Sequence, residues 1–139
     1  MMKLLNGAAC RAALALGATC ATDVTGFGLL GHASHIARAS NVTLHIDAAS
    51  VPVLEGAVAA FEAGSKNDGM RRNAEYLESL VEFRHIDATM RSILCDPQTS
   101  GGLLVAMRPN RVAQYLSRVE NSVEIGEVTE RETVAIIVA

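Results

Sequence analysis

Apolar residues recur along this chain with two spacings, and the spacing predicts the type of each element. Apolar positions three or four residues apart predict helices at residues 1–16, 27–39, 50–64, 87–93 and 110–119. Alternating or continuous apolar residues predict strands at residues 18–22, 42–46, 81–83, 103–107, 123–128 and 134–138. The last two strands flank a charged turn and are expected to form a closing hairpin. This order of elements predicts an α/β (α+β) sandwich in which a mixed β-sheet is covered by helices.

The segment between the third predicted helix and the third predicted strand has no clear period. Residues 65–73 are rich in glycine, asparagine and aspartate, so a loop is predicted there, and it carries the adjacent Arg71 and Arg72. Residues 76–80 fit either a short helix or an irregular stretch. The two arginines are interpreted as surface charge, and a phosphate clamp is the alternative because guanidinium groups match phosphate oxygens in bidentate geometry.

Composition and charge limit the class of protein. The chain has 139 residues, of which 50% are hydrophobic, and this suits a single domain over residues 1–139. A formal net charge of −3 with scattered basic residues argues against a nucleic-acid partner. No apolar run reaches the roughly 18 residues needed to span a bilayer, and the start lacks signal-peptide features. We therefore expect no membrane partner and a cytoplasmic location.

Cysteine and histidine spacing provides no complete metal or disulfide pattern. Three widely spaced cysteines without a CxxC pair are interpreted as small buried hydrophobic residues: Cys10, Cys20 and Cys95. His32 and His35 share a face of the second predicted helix at a spacing that suits a metal pair, but no neighbouring residue completes a tetrahedral set. They are interpreted as partly exposed helix residues. The remaining histidines have no evident partner: His45 and His85.

Two polar, glycine-containing stretches stand apart from this framework. In the first, TDVTGFGLLGH at residues 22–32, Asp23 lies between Thr22 and Thr25, just before the second predicted helix. A carboxylate beside glycine-rich backbone and a helix N-terminus suits a cation and phosphates, although local pattern alone favours an ordinary helix cap. The second stretch, DPQTSGG at residues 96–102, leads into an apolar strand. Two such loops exceed what capping requires.

Together, TDVTGFGLLGH and LCDPQTSGGLLVA, in this order, resemble the C-terminal domain of the selenophosphate synthetase (selenide, water dikinase) family. The resemblance extends over essentially the whole chain. It implies the sheet-and-helix fold shared with the C-terminal domain of aminoimidazole ribonucleotide synthetase. It also implies that residues 1–139 are the C-terminal domain of a longer two-domain enzyme, whose N-terminal ATP-binding domain is absent from this sequence.

The resemblance further implies a chemistry for the motif residues. Enzymes of this family make selenophosphate, AMP and phosphate from ATP, selenide and water, and magnesium ions hold the nucleotide phosphates between two domains. Asp23 matches a magnesium ligand of the family. Because Mg²⁺ takes one or two carboxylates together with waters and phosphates, Asp23 alone does not make a tight site. The cofactors, Mg²⁺ and ATP, are therefore expected to be shared with the N-terminal domain.

No catalytic residue is expected in this chain, because the family's nucleophile and its lysine lie in the N-terminal domain. The chain alone is expected to be inactive. Its expected partners are ATP and selenide as substrates, its own N-terminal domain, and a second copy in the homodimer of the full-length protein. Six polar residues are candidates for lining the phosphate or selenide site: Thr22, Thr25, Asp96, Gln98, Thr99 and Ser100.

Two alternatives stay open from the sequence. The chain also fits another ATP-dependent enzyme of the same superfamily, such as aminoimidazole ribonucleotide synthetase, hydrogenase maturation factor or thiamine-monophosphate kinase, but these are not expected to carry DPQTSGG. A non-catalytic dimerisation module that keeps the fold is the second alternative. An intact Asp23 and glycine run weigh against it.

Overall fold

A computed structural model describes residues 5–65 and 67–139. Six α-helices are present in this part of the chain: α1 (Gly7–Ala15), α2 (Gly28–Ser40), α3 (Ala57–Glu62), α4 (Asp68–Leu77), α5 (Ala88–Leu94) and α6 (Pro109–Leu116). The same part of the chain forms six strands: β1 (Cys20–Asp23), β2 (Val42–Ile46), β3 (Val81–Phe83), β4 (Leu103–Ala106), β5 (Gly126–Glu130) and β6 (Ile136–Val138). The part of the first predicted helix at residues 1–4 lies outside the described residues.

The strands form two sheets. β1 and β4 make an antiparallel pair, and the other four strands are ordered β3-β6-β2-β5. In the larger sheet β6 runs parallel to both β2 and β3, whereas β5 is antiparallel to β2. The expected fold, a mixed sheet covered by helices, is confirmed.

The expected closing hairpin is wrong, because β5 and β6 pair with opposite edges of β2 instead of with each other. The connection between them crosses the end of β2, where the buried Thr43 hydroxyl donates to the Val134 carbonyl at 2.7 Å and accepts from the Glu132 amide at 2.9 Å. The alternation of apolar and polar residues in β2 predicts that Thr43 is exposed. It is buried instead because the connection between β5 and β6 crosses over it.

His45, for which the sequence shows no partner, lies 2.6 Å from the Glu132 carboxylate.

The main core lies between α2 and the larger sheet. All three residues of β6 are buried, and α2 contributes Leu30, Ala33 and Ala37, each fully buried. A smaller cluster joins α1 to α6 through Ala13, Leu16 and Tyr115. The apolar face of α2 therefore covers the larger sheet. The first turn of α2 lies at the end of the helix where the two motifs are found.

Several predicted boundaries are confirmed by local geometry. Asn41 ends α2 in the left-handed conformation at φ 53°, and Gly17 follows α1 at φ 72°. The Asp87 side chain accepts from the Met90 amide at 2.8 Å and so caps α5 as expected. β3 spans the predicted residues 81–83.

The predicted helix over residues 50–64 begins later than expected. Residues 48–50 form a 3-10 turn capped by Asp47, and α3 starts only after Gly56, whose φ of +78° interrupts a helix. Not all apolar positions of this predicted helix are buried, because Leu54 and Val58 are 55% and 46% exposed. The predicted end near Gly64 is confirmed by its φ of +92°.

The predicted loop at residues 65–73 is wrong from residue 68 onward. The Asn67 side chain accepts from the Met70 amide at 2.8 Å and starts α4, which carries Arg71 and Arg72. The polar residues that suggested a loop are therefore the N-cap and the first turn of α4.

Three smaller features differ from what apolar pattern alone suggests. Leu5, an apolar residue of the first predicted helix, is 89% exposed, and α6 begins at Pro109 with Arg108 in the N-cap position. The apolar strand β4 is half-buried along its whole length.

Candidate functional site

The two motifs lie side by side because β1 and β4 are paired. Asp23 is opposite Leu103 in the antiparallel ladder. The pairing continues past both strands: the Val24 amide donates to the Gly102 carbonyl at 3.0 Å, and the Gly101 amide donates to the Val24 carbonyl at 3.1 Å. The second motif therefore lies beside Asp23. We call the loops 24–27 and 96–102, together with Asp23, the motif edge.

Close backbone contact explains two glycines of the motif edge. A Cβ on Gly101 would collide with the Val24 carbonyl oxygen, so a larger residue would push the loops apart. Gly28 begins α2 at φ +68°, a conformation that side chains disfavour, and a Cβ there would lie 2.9 Å from the Cys95 and Asp96 carbonyl oxygens. The glycines therefore permit the two motifs to approach each other.

Asn73 of α4 joins the motifs from the interior side. Its side-chain amide donates to the Gly26 carbonyl at 3.0 Å and to the Cys95 carbonyl at 2.9 Å, and the residue is buried. Sequence reasoning missed this residue because α4 was predicted to be a loop. Met70, Asn73 and Leu77 have helical spacing, and this spacing is the sequence signal that would have placed Asn73 on an inward face. All three residues are buried.

The carboxylate of Asp23 extends from the exposed end of β1. Its Oδ1 accepts a hydrogen bond from the Asn6 side-chain amide at 2.7 Å, and that amide also donates to the Gly101 carbonyl at 3.3 Å. Asn6 is a second residue that sequence reasoning missed. It lies 17 residues before Asp23, and a residue ahead of a helix indicates only a cap.

The ordinary cap interpretation of the first motif is not what the described residues show. Phe27 occupies the N-cap position of α2, and no side chain makes a capping hydrogen bond there. The Thr25 hydroxyl instead lies 3.0 Å from Nε2 of His32, one turn into the helix. Asp23 and Thr25 are therefore polar groups of an exposed edge and do not cap this helix.

His32 lies between that edge and a group of rings. Partial burial lowers the pKa of His32, the nearby His35 lowers it further, and Asp23 opposes the change. Phe27 is 5.3 Å from His35 between ring centroids, and Tyr76 is 6.1 Å from His35. A lowered pKa favours the neutral ring, which then accepts a hydrogen bond from Thr25 or donates one, according to its tautomer.

The polar residues of the second motif divide into two groups. Asp96 accepts from the Asn67 side chain at 2.8 Å and from the Gln98 side chain at 3.3 Å, beside a shallow depression of about 300 Å³ that Phe61 and Ser65 also line. Thr99 and Ser100 are exposed on the loop that faces Val24. The remaining candidate, Thr22, is half-buried and donates to its neighbour's carbonyl at 3.2 Å.

The donor set at the motif edge suits a hard cation but is incomplete. Within residues 5–65 and 67–139, no three His, Cys, Asp or Glu side chains are grouped closely enough to hold a metal ion. Asp23 offers an exposed carboxylate with one oxygen outside the Asn6 hydrogen bond. Mg²⁺ binds through one or two carboxylates with waters and phosphates, so this edge fits a shared magnesium site better than a complete one.

The surroundings of Cys95 and Arg71 agree with the interpretations made from the sequence. Cys95 is buried, and burial raises the pKa of its thiol to about 11, which opposes a nucleophilic role. Arg71 pairs with Glu75 at 2.7 Å and lies 4.0 Å from Asp68, so its charge is balanced within α4. These contacts favour the surface interpretation of Arg71.

Comparison with known proteins agrees with this architecture. A family model described as AIR synthase related protein, C-terminal domain, matches residues 1–139, and the chain belongs to this family. It is similar to a protein named selenide, water dikinase from Clostridium botulinum (strain Eklund 17B / Type B), at 35% identity over 99% of this chain and 41% of the relative. Relatives of the same name include those of Pseudomonas aeruginosa, 39% identical over 97% of the chain and 40% of the relative, and Geobacter sp. (strain M21), 42% identical over 84% and 34%.

The resemblance recognised from the two motifs is therefore confirmed. The chain spans about two fifths of the length of the curated relatives it matches most fully. No helix in the described part of the chain is long and apolar enough to cross a membrane.

Proposed function

We propose that this chain is the C-terminal domain of a selenide, water dikinase, which makes selenophosphate, AMP and phosphate from ATP, selenide and water. The observation that carries the proposal is the pairing of β1 with β4, which aligns both family motifs and leaves the Asp23 carboxylate exposed at their shared end. In the longer protein, here called the parent protein, a separate ATP-binding domain faces this motif edge.

Asp23 is the group of this chain that would hold Mg²⁺. Bound Mg²⁺ neutralises phosphate charge and orients the nucleotide. The carboxylate is exposed, and its hydrogen bond comes from a neutral amide, so no cationic side chain competes for it among the described contacts. The other metal ligands must come from phosphates, waters and the ATP-binding domain, because the described residues hold no group of three His, Cys, Asp or Glu side chains that could bind a metal ion.

The loops beside Asp23 provide the rest of the proposed closing surface. Thr25, Thr99 and Ser100 carry exposed hydroxyl groups on this edge, which can donate to phosphate oxygens. Thr22, Asp96 and Gln98 are partly buried and already bonded within the chain, so we assign them to shaping the loops. We expect the isolated chain to be inactive, because these groups complete a magnesium and phosphate site only together with the ATP-binding domain.

The test is selenide-dependent AMP formation from ATP and Mg²⁺ by the parent protein, with Asp23→Asn as the variant. This substitution keeps the size of the side chain and removes its charge, so activity is expected to fall at least about 100-fold at fixed Mg²⁺. Glu124→Gln is the matched control, because it removes an exposed carboxylate outside both motifs and is expected to retain activity.

Three results would contradict the proposal. Full activity of Asp23→Asn would remove the magnesium-ligand role. Turnover of ATP by the parent protein that is independent of selenide would favour another ATP-dependent enzyme of the superfamily. A dimerisation module without catalysis predicts no ATP turnover in any of the three proteins.

A further inference from the structure

The amide of Asn6 has an arrangement that its place in the helix does not explain. Asn6 precedes α1, where an asparagine side chain usually accepts from an amide of the first turn. Here it makes no capping bond, and its backbone is itself helical, at φ −71° and ψ −3°. The side chain is directed across to the motif edge instead, where it contacts Asp23 and Gly101.

The chemistry of the two neighbours sets the orientation of this amide. The Asp23 carboxylate and the Gly101 carbonyl are both acceptors, so the NH₂ group must face them and the amide oxygen must face away. Both hydrogens of the NH₂ group are thereby used, one on each motif. The amide therefore ties the end of β1 to the loop before β4.

A neutral amide suits a carboxylate that must also bind a cation. A lysine or arginine in this place would neutralise Asp23 and compete with a metal ion, whereas the amide bonds Oδ1 and, among the described residues, Oδ2 has no hydrogen bond. Hydrogen bonds to ligating carboxylates orient them, and their removal commonly weakens metal binding by about 10- to 100-fold.

We propose that Asn6 is a positioning residue that holds the Asp23 carboxylate for Mg²⁺ through its hydrogen bond to Oδ1. The inference rests on the proposed function, since it requires Asp23 to bind the ion. Asn6 touches neither the ion nor the nucleotide and acts through Asp23. Its contribution is to restrict the side-chain rotation of an otherwise exposed aspartate and to keep it aligned with the Gly101 loop.

The experiment is a double-mutant cycle in the parent protein with Asn6→Ala, Asp23→Ala and the double variant. Binding of Mn²⁺, used in place of Mg²⁺ with ADP present, is followed by the electron paramagnetic resonance signal of the free ion. Asn6→Ala is expected to weaken Mn²⁺ binding about 10-fold. In the double variant Asn6→Ala is expected to add no further weakening, because the group through which it acts is gone.

A second measurement separates positioning from a general structural role. The Mg²⁺ concentration for half-maximal AMP formation is expected to rise about 10-fold in Asn6→Ala, while kcat at saturating Mg²⁺ stays within about twofold. Asn110→Ala, on the exposed first turn of α6, is the control and is expected to change neither value. Equal loss of kcat at every Mg²⁺ concentration, with a lowered melting temperature, would overturn the inference.

The cycle distinguishes the two proposals. If Asp23→Ala leaves Mn²⁺ binding unchanged, the magnesium-ligand role fails and the positioning role fails with it. If Asp23→Ala weakens binding and Asn6→Ala does not, only the role of Asn6 is overturned. Additive weakening by the two substitutions would also overturn it, because Asn6 would then act independently of Asp23.

Discussion

The two sheets of this protein are held together in different ways. The larger sheet has β6 in its interior, with every residue buried, and α2 covers it with a fully buried apolar stripe. The pair formed by β1 and β4 has no fully buried residue, and the loops beyond it are joined by backbone hydrogen bonds, close glycine contacts and the Asn73 amide.

Because of this difference, substitutions in the larger sheet and substitutions at the motif edge should affect different properties of the protein. Apolar volume holds the larger sheet, so a change there should lower the free energy of unfolding and leave the folded loops in place. The motif edge is held by a few hydrogen bonds and close backbone contacts. A substitution there should therefore lower the free energy of unfolding and also displace Asp23. Substitutions in the two regions should therefore differ in their effects on stability and on activity.

Leu30→Ala is expected to have the largest effect on stability. Leu30 is fully buried in the core between α2 and the larger sheet, so its removal should lower the free energy of unfolding by about 3 kcal/mol. Urea denaturation followed by circular dichroism measures this, with Leu14→Ala, which is 70% exposed, as the control. Activity per folded molecule of the parent protein should be retained, and its loss would contradict this difference between the two regions.

Gly101→Ala is expected to disturb the motif edge directly. Its methyl group would collide with the Val24 carbonyl, so we expect a loss of about 2 kcal/mol in unfolding free energy together with a loss of activity in the parent protein. The neighbouring Gly102→Ala is the matched control, because no atom beyond its chain neighbours lies within 4 Å of the added carbon. Equal behaviour of the two variants would show that this close contact is unimportant.

Asn73→Ala is expected to lower stability less, by about 1.5 kcal/mol, because it removes two hydrogen bonds and leaves the Cys95 carbonyl buried without its amide donor. Activity should fall more than stability predicts, since both motifs lose a common anchor. Denaturation and AMP formation, measured with Asn110→Ala alongside, check this. If the activity of folded Asn73→Ala equals that of Asn110→Ala, Asn73 has no part in placing the loops.

Cys95 is expected to have the smallest effect, visible only at high pH. Burial raises the pKa of its thiol from 9.0 to about 11, so between these values the unfolded chain releases a proton that the folded chain keeps. The stability contributed by the neutral thiol is therefore complete below pH 9 and decreases as pH rises, by less than about 1 kcal/mol near pH 9.5. Cys95→Ala should flatten the pH dependence of urea unfolding over this range, and an unchanged pH dependence would contradict this effect of burial.

Much of the fold follows from short-range pattern. The bounds of α2, β2, β3 and α5 follow from apolar period and from caps within a few residues of each end, such as Asn41 and Asp87. The prediction failed where the same residue types are common in two kinds of local structure. Asn67 and Asp68 were predicted to be loop residues but begin α4, and residues 51–56 were predicted to be helical although α3 begins only at Ala57.

The motif residues were found from the sequence, but their supports were not. Asp23 and the DPQTSGG loop were recognisable because each motif is contiguous. Asn6 is 17 residues from its partner Asp23, and Asn73 is 47 residues from its partner Gly26. A local sequence pattern does not predict a contact between residues so far apart in the chain. The binding roles of Thr22, Thr25, Asp96, Gln98, Thr99 and Ser100 stay predictions, as do the Mg²⁺, ATP and homodimer expectations.

The sequence by itself determined the class of fold, most elements and the family, because period, caps and contiguous motifs are all encoded within a few residues. Only the tertiary structure decided that β5 and β6 flank β2, since the choice depends on which apolar strand gains most by burial between two others. It also decided that Asn6 and Asn73 join the two motifs, because such hydrogen bonds exist only after distant segments have packed together.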